Sequence, residues 1–154
     1  MTSRSAFACS ALLLSLAASA CAQTASSAPL PTTVAPTQKV LIHIHSDKPA
    51  DWQAAMDKAN GMMSSAQPGS TVVEMLVTGD GLKLIDKGNA SMTASMAASL
   101  NKDVSYVACH NSMKANHMEI SQLDAGVGTV PSGGREMAMK KAEGWTMLDD
   151  QKLQ

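Results

Sequence analysis

Four consecutive residues, Cys109-His110-Asn111-Ser112, offer a thiol, an imidazole, a carboxamide and a hydroxyl. They follow "DVSYVAC", residues 103–109, an apolar run that reads as a strand. The thiolate is the reactive form of cysteine, and a helix N-terminus or a cationic imidazole beside it favours that form. A helix is expected from Ser112, so Cys109 would stand just before free backbone N–H groups, with His110 next door as a tuning group. The chemistry on offer is nucleophilic sulfur chemistry. The plainer account is a packed cysteine closing a strand, since free Cys is among the most buried residues. Strand-end position and polar followers leave the two accounts about even.

Two more groups fall at strand ends. "KVLIHIHS", residues 39–46, alternates, with Val40, Ile42 and Ile44 on one face and Leu41, His43 and His45 on the other. His45, Ser46 and Asp47 end that strand. "TVVEMLVTG", residues 71–79, is Val-rich enough to be buried on both faces and runs into Thr78, Gly79 and Asp80. Ligands of open α/β sheets bind beyond the carboxyl ends of strands. Asn111, Ser112, Ser46 and Asp80 are therefore the candidates to orient a substrate. His43, His45 and Cys109 form an alternative set for a soft metal. A sheet-face histidine is the favoured account of His43, because spacing fixes no third and fourth ligand. No CxxC, HExxH, G-x-S-x-G or P-loop occurs, and "GDGLK" lacks the dinucleotide fingerprint, so no cofactor is expected.

The elements that must position these residues alternate. After the first strand, "DKPADWQAAMDKANGMMSS" places Trp52, Met56, Ala59 and Met63 on one helical stripe, with Pro49 in the first turn and Asp47 as the expected cap. A Gly-punctuated link after the second strand precedes a helix with Met92, Met96 and Leu100 in register. A short strand at 127–130, a helix over 132–142 ended by Gly144, and a last strand in "WTMLDD" complete the chain. Strands separated by helices imply βαβ units. The expected fold is a three-layer α/β/α sandwich on a mostly parallel sheet of about five strands.

The N-terminus reads as an address. Arg4, an apolar stretch over about 6–18 and small residues around Ala20 make residues 1–22 a secretory signal, too short for a lasting anchor. "LAASAC" loosely resembles a lipoprotein box, so Cys21 is either the lipidated first residue or lost or left in a free periplasmic protein. Membrane contact is expected only in the first case. Residues 23–38, rich in Ala, Ser, Thr and Pro, read as a tether. Residues 39–150 are the domain and 151–154 a tail. Cys109 is then the one cysteine of the domain, without a disulfide partner. The 154 residues suffice for one domain, and a net charge of −1 gives no sign of nucleic-acid binding. Aromatics make up 3% and methionines number 12, so methionine must fill much of the core.

The first strand ending "HIHSD", the helix with "KANGMM", the strand "VSYVACHNSMK" and the segment "VPSGGREMAMKKAEGWTML" together resemble the DsrE/DsrF-like, or YchN-like, family over about residues 39–150. The resemblance implies a three-layer α/β fold and homo-oligomers, often trimers or hexamers. Some members relay sulfur through a persulfide on a cysteine, which would correspond here to Cys109, with a protein donor or acceptor as partner. Those members are typically cytoplasmic, whereas this sequence carries an export signal, so donor and reductant would have to act outside the cytoplasm. Gly134 stands where many relatives have an apolar residue. The alternatives are an envelope protein that binds a soft metal or small ligand, and a structural oligomer with an inert cysteine.

Overall fold

A computed structural model describes residues 35–153. The signal segment, Cys21 and most of the expected tether lie outside those residues. Five strands and four helices alternate: β1 Gln38–Ile44, α1 Pro49–Ser65, β2 Thr71–Val77, α2 Ala90–Leu100, β3 Ser105–Cys109, α3 His110–Ala115, β4 Val127–Val130, α4 Gly133–Ala142 and β5 Thr146–Asp149. A 3-10 turn, Gly79–Leu84, follows β2, and another, Asp150–Lys152, follows β5. The sheet order is β4-β3-β2-β1-β5, and every pairing is parallel. The fold is α/β, with a sheet wholly rather than mostly parallel.

Alternation along the strands decides what each helix covers. Val40, Ile42 and Ile44 of β1 share a face with Val73, Met75 and Val77 of β2, and the expected stripe Trp52, Met56 and Ala59 of α1 packs on it. Met92 and Met96 of α2 and Met113 of α3 join the same cluster. Full burial of each such side chain contributes about 1.5–3 kcal/mol. Met56, Met75, Met92, Met96 and Met113 are all buried, which is how a core with few rings is filled.

The opposite face carries Leu41 and His43 of β1, Glu74 and Leu76 of β2, and Val107 and Cys109 of β3. α4 lies there. Lys140 Nζ reaches Glu74 Oε2 at 2.7 Å and Glu136 Oε1 at 3.5 Å, and sits 4.1 Å from the Trp145 ring centroid. The chain steps β1, β2, β3, β4 in one direction with helices on one face. It then returns from β4 across the whole sheet to β5, so a right-handed crossover puts α4 on the other face.

Two helix starts differ from expectation. α1 begins at Pro49 with Lys48 as its N-cap, so Asp47 caps nothing; its carboxylate stands 3.6 Å from Lys83 Nζ on the surface. α3 begins at His110 rather than Ser112, with Cys109 itself in the cap position. Among the described residues no helix is long and apolar enough to cross a membrane.

Candidate functional site

Loops leave β3 and β4 toward opposite faces of the sheet. That divergence makes a topological switch point, and the crevice at the strand ends there is where such sheets place ligands. Cys109 stands at that point. It ends β3 at the N-terminus of α3, and Val130, its partner in β4, leads through Pro131 and Ser132 into α4.

The Ser132 hydroxyl caps α4 by accepting from Arg135 N at 3.4 Å. That cap turns Gly133 N toward the sulfur, to which it donates at 3.1 Å. Two helix N-termini thus converge on one thiol, and each carries partial positive charge. Burial pushes the Cys109 thiol up. The Ser112 hydroxyl and the backbone N–H groups of Ser112, Gly133 and Asn111 push it down and prevail, leaving it below the ordinary thiol value. Cys109 is 5% exposed and free of disulfide.

Gly133 is fixed by space. A Cβ there would meet Thr78 Cγ2 at 2.7 Å and Cys109 Sγ at 3.6 Å. Thr78, one step beyond the β2–β3 pairing of Val77 with Ala108, is therefore the wall of the cysteine corner. Its hydroxyl faces the other way, 2.8 Å from His43 Nε2.

His43 and His45 share the cysteine's face. Their rings stack with centroids 4.8 Å apart and 15° between planes. Burial lowers the His43 pKa, and the neighbouring His45 lowers it further, against the pull of Asp149 and Asp150. Asp150 is fully buried. Its Oδ2 accepts from His45 N at 3.0 Å and Ser46 N at 2.9 Å, and its Oδ1 lies 2.9 Å from His45 Nδ1 without hydrogen-bond alignment. Asp149 pairs with His43 across β1 and β5. One nitrogen of each histidine and one Asp149 oxygen lie within 4.8 Å of one another. The histidine pair gathers with Asp149, and Thr78 lies between it and Cys109.

The remaining candidates are spread out. Asn111 and Ser112 reach the sulfur through main chain and hydroxyl. His110 is not among the groups that lower the thiol; it lines a cavity of about 300 Å³ with Met113, Lys114 and His117. Ser46 is buried, its hydroxyl bonded to Asp51 and its carbonyl accepting from Trp52 Nε1 at 2.7 Å, which fastens α1 to β1. Asp80 is exposed and lies 3.7 Å from Lys83 Nζ. Sequence reasoning gave no role to Gly133, Thr78, Asp149 or Asp150. The doublet "DD" at the end of the last strand and the "PSGG" turn were the available signals.

The fold defines a class that solved structures share. A protein of unknown function from Methanobacterium thermoautotrophicum is similar at 20% identity and a TM-score of 0.68, over 73% of this chain and 98% of that one. The ychN protein of E. coli is similar at 13% identity and a TM-score of 0.61, again over 73% and 98%. A conserved protein of unknown function from Bacteroides thetaiotaomicron follows at 15% identity and 0.59, over 73% and 94%. No family model and no curated protein matches the sequence significantly. The chain has the DsrE/DsrF-like, or YchN-like, fold.

Proposed function

We propose that the protein handles sulfur, holding sulfane sulfur as a persulfide on Cys109. The observation that carries this reading is the sulfur's place between two helix N-termini, with Gly133 N donating to it at 3.1 Å and the thiol held below its ordinary value. The Cys109 thiolate attacks the outer sulfur of a donor persulfide, R–S–SH. The donor's S–S bond breaks, R–S⁻ leaves with the electron pair, and Cys109 keeps the sulfur as Cys–S–SH. An acceptor thiolate then takes the outer sulfur by the same displacement. The N–H groups that steady the incoming thiolate also steady the Cys109 thiolate when it leaves.

In this reading the mature protein works outside the cytoplasm as a homo-oligomer, with a donor and an acceptor in that compartment. The test is the intact mass of the purified protein before and after a sulfane donor. A gain of about 32 Da that maps to Cys109, reverses with reductant and vanishes in Cys109→Ser is expected. No gain, with the thiol closed to alkylation until unfolding, would sink the proposal. The same spectrum reads the mature N-terminus and any lipid on Cys21.

A further inference from the structure

We propose that His43, His45 and Asp149 form a site for a divalent first-row metal ion of the zinc type, at the β1–β5 corner of the sheet. This assignment stands apart from the sulfur reading, since Cys109 takes no part in it. Two imidazoles and a carboxylate are the donor set that suits such an ion with one position left open. One donor atom from each residue already falls within 4.8 Å of the others. Donors around zinc at ~2.1 Å stand ~3.4 Å apart, so a modest closing of side-chain angles completes the site. His45 and Asp149 are only partly buried, so an ion has a way in.

A second observation points the same way. Metal-bound histidines hold their other ring nitrogen against a carboxylate or another polar group. Here Asp150 Oδ1 is buried without a hydrogen bond and stands 2.9 Å from His45 Nδ1. A small ring rotation lets Nδ1–H donate to it, which satisfies both buried atoms and turns the Nε2 lone pair outward. Thr78 Oγ1 holds His43 at Nε2 in the same manner. Asp149 Oδ1 accepts from Gln151 N at 3.2 Å, so one carboxylate oxygen is anchored and the other is available.

Zinc chloride titrated into the chain carrying Cys109→Ser, by calorimetry with parallel melting curves, tests the site without the thiol. One zinc per chain is expected, with a melting temperature that climbs with zinc concentration. Asp149→Asn and His45→Gln, each checked for folding by circular dichroism, should each weaken binding by more than the ~10–100-fold that loss of an outer contact costs. Should one variant fail to fold, the other decides. Absence of binding at millimolar zinc overturns the proposal. So does unchanged affinity in either folded variant, the result expected if zinc sits instead between His110 and His117.

Discussion

One edge of the sheet carries two corners built by different means. At the β3–β4 end, Cys109 is surrounded chiefly by main chain: the amides of Gly133, Asn111 and Ser112. At the β1–β5 end, His43 and His45 are surrounded by side chains: Thr78, Asp149 and Asp150. Thr78 is the partition, methyl toward Gly133 and hydroxyl toward His43. A corner made of amides tolerates side-chain change wherever the helix starts stay in place. A corner made of side chains answers to each of them. The first suits an anionic sulfur, the second a metal cation held by neutral imidazoles.

The difference can be broken most strongly from a distance. Lys140→Met removes the partner of Glu74, whose side chain is 11% exposed, and frees the end of α4 that holds its start over Cys109. A loss of about 1.5–3 kcal/mol in urea unfolding is expected, as for a charged hydrogen bond at a part-buried site. Alkylation of Cys109 should change far more than the titration of His43.

Gly133→Ala acts at the partition itself. Its Cβ would press on the Thr78 methyl at 2.7 Å, so about 1–3 kcal/mol should be lost and the thiol midpoint should rise as the amide moves away. Gly134→Ala is the matched control. Nothing lies within 4 Å of that Cβ, and removing a helical glycine should stabilise by about 0.5–1 kcal/mol with the thiol unchanged. Ser112→Ala removes one donor from the sulfur alone. The thiol midpoint should rise while stability shifts by no more than about 1 kcal/mol.

The smallest effect belongs to the histidine corner. The folded His43 pKa lies below its unfolded value of 6.5, so the unfolded chain takes up that proton first as pH falls. Stability should be level above that value and decline as pH drops through it toward the folded pKa. His43→Gln should flatten that part of the curve and leave the Cys109 midpoint where it was.

Much of the frame is legible in the chain. The alternation of Val40, Ile42 and Ile44 with Leu41 and His43, the stripe from Trp52 to Met63 and the apolar run into Cys109 are local patterns, and local patterns set strands and helices. The start of α3 moved to His110 because a cysteine is not read as a cap, although its backbone takes that place here. The histidine corner was half legible. His43 and His45 share a face by spacing alone, but Asp150 meets His45 across 105 residues, through a pairing of β1 with β5 that only the return crossover creates. Gly133 was equally hidden. Its need for a bare Cα comes from Thr78, on a different strand.

Sulfur transfer at Cys109 requires an activated thiol at the switch point. The most direct test is the rate of Cys109 alkylation in the folded protein as a function of pH. A single titration with its midpoint below that of the unfolded chain, displaced upward by Ser112→Ala and by Gly133→Ala, is the predicted result. A midpoint at or above the unfolded value, or a sulfur that reacts only after unfolding, would contradict it.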